Sequence, residues 1–279
     1  MVISKILNNN VIVSCDSNGN EIIAMGKGIA YKKKCGEVIE DGLIDKVYTL
    51  SNKDISTKFQ ELLSNIPIEY LNISNEIIEY AKVTLGKNLN DSIYISLTDH
   101  LGTSIERAKN KIFVRNAMLW EIKRFYKEEY KIGLKVLDKI KEKFDIELPE
   151  DEAGFIALHI VNAQLDETIS VVYDITKVMQ EVANIVKYHF GITFDENSVY
   201  YYRFITHLKF FAQRLFNKNE YKGQDNDSLM ELIKSKYEDA YACVQKVTDF
   251  IKNKYSYDLS EDEQLYLTIH IARIVEETK

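Results

Sequence analysis

Apolar residues occur in short runs over the first 55 positions and then fall into three- and four-residue spacing along the rest of the chain. Residues 2–7, 11–15, 21–25, 29–32 and 44–50 are rich in Val and Ile and predict strands. The turn clusters between them are Asn8-Asn9-Asn10, Asp16-Ser-Asn-Gly-Asn20, Gly26-Lys-Gly28 and Cys35-Gly-Glu37. Asn and Gly suit such places because they tolerate positive φ. So small a sheet buries little apolar area, and below ~70–80 residues a single core rarely suffices without a staple. Dimerisation is the expected remedy.

Residues 58–63 predict a short helix, interrupted by Pro67. From Asn75 onward the pattern is helical: Ile77, Ile78, Ala81 and Leu85 share one face, Trp120, Ile122, Phe125 and Tyr126 mark another helix, and 132–144 a third. A further helix starts near Pro149, which fits a first helical turn. Its sequence returns later in the chain. Leu148-Pro-Glu-Asp-Glu-Ala-Gly-Phe-Ile-Ala-Leu-His159 recurs as Leu259-Ser-Glu-Asp-Glu-Gln-Leu-Tyr-Leu-Thr-Ile-His270, where Ser260 and Glu263 form a capping box. The match extends upstream, from Tyr126, Tyr130, Lys135 and Asp138 to Tyr237, Tyr241, Lys246 and Asp249. A repeat of this length reads as tandem domains rather than a solenoid. The expected fold is multidomain: a small antiparallel β domain over 1–55, then two tandem all-α bundles of about five helices each, over 65–170 and 171–279.

Four of the five histidines follow the repeat. His159 matches His270, and Ser92-Ile-Tyr…Thr98-Asp-His100-Leu101 resembles Ser198-Val-Tyr…Thr206-His207-Leu208, with Arg107 and Arg214 seven residues beyond each histidine. On a helix that spacing puts the arginine two turns down the histidine face, while Glu152 and Glu263 lie two turns before His159 and His270. Arg203 lies one turn before His207, and Asp99 directly precedes His100. A neutral imidazole is a nucleophile, and a phosphoryl group on it would bring charge that an arginine can bind with paired hydrogen bonds. Any single helical histidine is more often a packed or surface residue, and shared descent can copy structural histidines. His189, whose counterpart is Thr84, is the internal control and reads as structural or incidental. Neither HExxH nor two histidines three to five apart occur, which argues against zinc. No catalytic residue, metal or cofactor is expected.

Composition adds three limits. Hydrophobic residues make up 46% and charged residues 28%, as in a water-soluble globular chain. Cys15, Cys35 and Cys243 are scattered, which fits a reducing compartment, and neither a signal peptide nor a membrane span is evident, so a cytoplasmic protein is expected. The net charge of −7 argues against nucleic acid as a partner, but residues 1–34 hold five lysines against two acids. Within them Asn8, Asn10, Gly26, Lys27, Tyr31 and Lys32 to Lys34 combine amides, an open backbone, an aromatic ring and cations, a set that suits RNA with unpaired bases. The same residues also serve ordinary turns and a solvated strand end.

Longer motifs carry a resemblance. Ile3-x-Lys5-x-Leu7-Asn-Asn-Asn-Val11, Met25-Gly-Lys-Gly-Ile29 and Val47-Tyr-Thr-Leu50 resemble the co-antiterminator RNA-binding domain of the BglG/SacY/LicT antiterminators. The histidine segments, among them Tyr202-Arg-Phe-Ile-Thr-His-Leu-Lys-Phe-Phe-Ala-Gln-Arg-Leu215, resemble that family's two PTS regulation domains, and the chain is similar to its LicT branch. The resemblance implies a homodimer that binds a ribonucleic antiterminator hairpin in nascent mRNA through Lys5, Asn8, Asn10, Gly26, Lys27 and Tyr31. It implies phosphorylation of His100, His159, His207 and His270, with Arg107, Arg203 and Arg214 supporting the phosphates. The donors it implies are a sugar-specific PTS permease (enzyme II), acting on the first domain to inactivate, and HPr, acting on the second to activate. The branch implies β-glucoside genes as the target and a regulator rather than an enzyme. Two alternatives remain: a phosphotransfer enzyme that would not need residues 1–55, and a DNA-binding activator, which would place a helix-turn-helix there.

Overall fold

The N-terminal runs pair in chain order. Strands β1 (Lys5–Asn8), β2 (Val11–Cys15), β3 (Glu21–Met25) and β4 (Lys46–Tyr48) form one antiparallel sheet in the order β1-β2-β3-β4. This is a computed structural model, and it describes residues 1–49, 53–217 and 227–278. The register pairs Val11 with Met25, Val13 with Ile23 and Ile23 with Tyr48, so those side chains share one face; Ile12 and Ala24 share the other. The second face closes over a small apolar cluster with Ile3, Ile29, Ala30 and Ile39.

Three predicted strands differ from the structure: the run 2–7 pairs as a strand over Lys5–Asn8, with Val2 in an isolated bridge to Val38. Residues 29–32 form turns. Ile29 N–H donates to the Gly26 carbonyl (3.2 Å), Tyr31 to Gly28 (2.9 Å) and Lys33 to Ala30 (3.1 Å), with Gly28 and Lys32 at φ 69° and 58°. Ile29 and Ala30 are buried all the same, and burial without pairing is what imitates a strand in the sequence. Of the predicted strand 44–50 only Lys46–Tyr48 pairs, and Leu50 lies outside the described residues. Residues 1–49 contain these strands and one 3-10 turn (Asp41–Leu43), which removes the helix-turn-helix alternative.

Helix α1 (Lys53–Asn65) is longer than the sequence pattern indicates, and α2 (Ile68–Leu85) begins directly after Pro67, ahead of the expected start at Asn75. Proline at a helix entrance costs nothing there, since the first N–H groups have no intrahelical acceptor. The remaining helices are α3 (Ser92–Lys109), α4 (Leu119–Phe125), α5 (Lys127–Phe144), α6 (Glu150–Leu165), α7 (Ile169–Phe190), α8 (Val199–Asn217), α9 (Asp227–Lys236), α10 (Glu238–Tyr255) and α11 (Glu261–Thr278). They supply the five helices of each copy, α2 to α6 and α7 to α11. The repeat is kept in backbone detail. Tyr126 and Tyr237 cap α5 and α10 at φ −127° and −126°, and Asp145 and Ser256 end them in the left-handed region at φ 54° and 53°. Ser260 and Glu263 form the predicted capping box, with Glu263 N–H on Ser260 Oγ (3.3 Å) and Ser260 N–H on Glu263 Oε2 (3.1 Å). No described helix is long and apolar enough to cross a membrane.

The chain forms two compact units, Met1–Leu119 with Tyr126–Glu167, and Trp120–Phe125 with Thr168–Lys279. In the first, the Val11–Met25–Tyr48 face of the sheet shares one core with Phe59 and Leu63 of α1 and with α2 and α3. The undersized sheet is therefore covered within its own chain. Tyr48 lies at the centre of this contact, edge-on to Phe59 (centroids 5.2 Å) and Tyr94 (5.4 Å), with its hydroxyl on the Asn75 amide. In the second unit, Trp120–Phe125 is held by Arg124 on Glu196 and by Gln180 on Glu121.

Helices α5 and α6 cross at Gly133, where an added Cβ would lie 2.3 Å from the Ala153 carbonyl oxygen. The equivalent place in α10 holds a buried Val244. Gly133→Ala is therefore expected to lower stability by roughly 1–3 kcal/mol, read by denaturant unfolding, whereas Val244→Ala should cost through a cavity and not through a clash.

Candidate RNA-facing surface and histidine pairs

Five of the six residues expected to meet RNA are gathered by hydrogen bonds between the β1–β2 turn and the loop after β3. Gly28 N–H donates to Asn10 Oδ1 (2.8 Å), Gly26 N–H to the Asn10 carbonyl (3.0 Å) and Ala30 N–H to the Asn9 carbonyl (3.0 Å). Asn8 Oδ1 in turn accepts from Asn10 N–H (2.8 Å). Gly26 is obligatory, because a Cβ would sit 1.9 Å from the Leu43 carbonyl oxygen. Lys27 and Gly28 are exposed, and Tyr31 is 60% exposed, with Lys32 Nζ 5.3 Å from its ring centroid. An open aromatic face beside cations is what base stacking needs. The sixth residue, Lys5, lies along β1, and its Nζ is 3.4 Å from Gln60 Oε1 of α1.

Each helical copy brings its two histidines together from different helices. In the first, His100 of α3 meets His159 of α6 with ring centroids 4.8 Å apart; in the second, His207 of α8 stacks on His270 of α11 at 3.9 Å and 25°. The surroundings differ. His159 is 7% exposed, whereas His207 is exposed at the mouth of a cavity of 230 Å³ lined by Phe211, Arg214, Glu263, Tyr266 and Leu267. Burial, with His100 alongside, pushes the His159 imidazole down to about 3. Burial together with His207 and Arg203 brings His270 down to about 4, and burial with Arg214 lowers His207. These three imidazoles are therefore neutral at pH 7, the form that can act as a nucleophile.

A buried glutamate backs each pair. Glu152, 2% exposed, places Oε2 2.9 Å from His100 Nε2 and accepts from Arg107 Nη2 at 3.0 Å. Burial would raise its pKa, but His100 and Arg107 hold it below the usual carboxylate range. Glu263, also 2% exposed, accepts from Arg214 Nε (3.3 Å) and from the Tyr257 hydroxyl (3.1 Å), besides its capping role at Ser260. The sequence places both arginines on their histidine faces, but it does not reveal that each first engages a glutamate from the partner helix. Nor does it reveal that the carboxylate facing His100 is Glu152, while Asp99 is exposed. The signal was the matched Glu-to-His spacing, which says that the glutamates are repeated and not what they touch. His189 lies outside both pairs, near the end of α7, with Lys246 and Asp239 as its charged neighbours.

The low His159 value has a pH consequence. The unfolded chain binds a proton at this histidine near pH 6.5, while the folded chain resists down to about 3. Its contribution therefore destabilises the fold as pH falls below 6.5, with a slope of at most about 1.4 kcal/mol per pH unit. Chemical denaturation between pH 7 and 4 should show a shallower loss for His159→Asn than for the unsubstituted chain.

Known domain families match the chain in three segments. The CAT RNA binding domain matches residues 1–57, and the PRD domain matches twice, at 75–163 and 180–274. Transcription antiterminator LicT of Bacillus subtilis (strain 168) is 53% identical over 277 residues, which cover 99% of this chain and 100% of that one. The beta-glucoside operon antiterminator of Dickeya chrysanthemi is 45% identical over 274 residues, 98% of this chain and 96% of its own. The crystal structure of GlcT CAT-PRDI is similar at a TM-score of 0.51 and 38% identity, over 58% of this chain and 97% of that one.

Proposed function

The chain belongs to the family of transcription antiterminators that join a CAT RNA binding domain to two PRD domains, and from that premise we propose how its residues divide the work. It is an RNA-binding antiterminator. We assign its target as a hairpin in the leader of a β-glucoside operon, held open against the overlapping terminator while polymerase passes. Residues 1–55 form the RNA-binding domain, 65–170 the first regulation domain and 171–279 the second. Two chains act as a homodimer in the cytoplasm, where nascent mRNA is made, and catalyse no reaction of their own.

On the RNA side, Tyr31 stacks on an unpaired base, Asn8 and Asn10 read base edges, and Lys5 and Lys27 meet phosphates across the close backbone at Gly26. On the control side, a PTS permease phosphorylates the first domain and HPr the second. The observation that carries this half is the ring-on-ring pairing of His100 with His159 and of His207 with His270, each backed by an arginine–glutamate pair. His100 and His207 are the more open members and take the phosphoryl group first; His159 and His270 accept it once the pair has parted.

The two domains differ in what the phosphate meets. On His100 it arrives beside Glu152, whose carboxylate already lies against Nε2, so two anions compete for Arg107. That repulsion strains the α3–α6 contact. On His207 it opens into the cavity that Arg214 lines, and Arg203 lies one turn back on the same helix, near enough to add to the lowering of His270 that burial and His207 cause. Arg214 is already shared with Glu263, so it is Arg203 as a second cation that compensates the phosphate there. One chemistry thus loosens the first domain and closes the second.

Gel-shift titration with the leader hairpin tests the RNA half: Tyr31→Ala is expected to weaken binding by roughly 1–3 kcal/mol, and unchanged affinity would remove Tyr31 from the interface. Incubation with the phosphotransfer proteins followed by mass spectrometry without acid tests the control half. Label is expected on His100, His159, His207 and His270, and label on His189 alone would overturn the assignment. Arg214→Gln should reduce readthrough driven by HPr while leaving hairpin binding by the RNA-binding domain intact.

A further inference from the structure

Helix α1 takes up the residues that RNA would need. It lies against β1, and its side chains Ser56, Phe59, Gln60 and Leu63, at helical spacing of three and four, form one buried stripe. Two residues assigned above to RNA are bonded to this helix, Asn8 half-buried against it and Lys5 exposed at its edge. Lys5 Nζ reaches Gln60 Oε1 at 3.4 Å, and Asn8 Nδ2 donates to the Leu63 carbonyl at 2.7 Å. The second bond has a cause in the sequence. The residue four beyond Leu63 is Pro67, which has no N–H to give, so the Leu63 carbonyl lacks its helical donor and Asn8 supplies one. With its oxygen on Asn10 N–H, the Asn8 amide is engaged at both ends.

The helix is fastened at a third point and sealed beneath. Glu21 Oε1 accepts from Ser56 Oγ (2.8 Å) and from Gln60 Nε2 (2.9 Å), tying β3 to α1. Phe59, fully buried, and Leu63 cover the sheet face of Val11, Ile23, Met25 and Tyr48. Phe59 also packs on Tyr94 (centroids 6.2 Å), which sits on α3 six residues ahead of His100. The helix that bears the first phosphoryl acceptor therefore also abuts the helix that covers the sheet.

We infer that α1 is an autoinhibitory clasp: in this form it engages the Asn8 amide through Leu63, tethers the exposed Lys5 through Gln60 and covers the apolar sheet face, and RNA binding requires it to leave. The inference rests on the RNA-binding reading given above. A chain that must first open binds more weakly by the fraction of open molecules, so loosening α1 raises affinity without adding any contact to RNA.

The test uses the full chain. Ser56→Asp places a carboxylate against Glu21 while favouring the first turn of α1, so the helix persists and its seat is repelled. The probe is a fluorescein-labelled bulged hairpin cut from the leader of the neighbouring operon, followed by anisotropy, with hydrogen exchange of residues 53–65 measured on the same samples. Ser56→Asp is expected to bind roughly fivefold tighter than the unsubstituted chain and to exchange faster across α1. Gln60→Ala, a milder loosening, is expected to move both readings the same way. The double variant Ser56→Asp/Glu21→Lys restores attraction across the contact and should return affinity towards the starting value, although an added lysine alone favours RNA. Equal affinity of all four proteins, with α1 still protected in the complex, would overturn the clasp and leave the RNA reading standing. Absence of binding by a Ser56→Asp chain whose α1 exchanges freely would overturn the assignment of Lys5 and Asn8, and the clasp with it.

Discussion

Glu152 and Glu263 are the charges around which the helical domains are arranged. A carboxylate at 2% exposure is costly unless it is paired and hydrogen-bonded, and each finds its arginine on the helix opposite. Glu152 of α6 is matched from α3 by Arg107 and His100, and Glu263 of α11 from α8 by Arg214. The same pairing fixes how α3 faces α6 and α8 faces α11, and so brings the histidines ring to ring. Removing either partner would leave the other charge buried and alone, which is why a change of charge at this place has structural reach. The stability of each helix pair and the placement of its histidines thus share the same few atoms.

The domains repeat this plan with different reserves. In the first, Glu152 is shared between histidine and arginine, and the second histidine is buried beneath. In the second, Glu263 is held by Tyr257, Ser260 and Arg214, and the histidine stack borders a cavity. Duplication preserved the histidines, the arginines and the glutamates and allowed their immediate neighbours to drift. The two copies therefore give the same histidine pair different surroundings.

Much of this was legible in the sequence, and what was not shares a cause. The repeat, the four matched histidines, the capping box at Ser260 and the turns at Asn8 to Asn10 are local patterns, and each appears in the structure where the residues place it. In the misread strand at 29–32, Ile29 and Ala30 are buried without being paired, and burial is the part that Ile and Ala report. The early start of α2 follows from Pro67 acting as an entrance, where its interrupting character weighed more in the pattern. Contacts between distant elements carried no local mark: Arg107 on Glu152, or Asn8 on a carbonyl 55 residues away. The proline that frees that carbonyl was visible, but not the side chain that meets it.

The short segment Trp120–Phe125 has a bearing on ancestry and exchange. It lies in the middle of the first PRD match by sequence, yet it belongs to the compact unit of the second, through Arg124 on Glu196 and Gln180 on Glu121. The boundaries of inheritance and of folding therefore do not coincide. A hybrid assembled from two relatives by joining at the seam between the repeats would inherit this segment from one parent and its partners from the other. Residues 121, 124, 180 and 196 must then travel together, because a helix barely two turns long from the first repeat's sequence folds as part of the second compact unit.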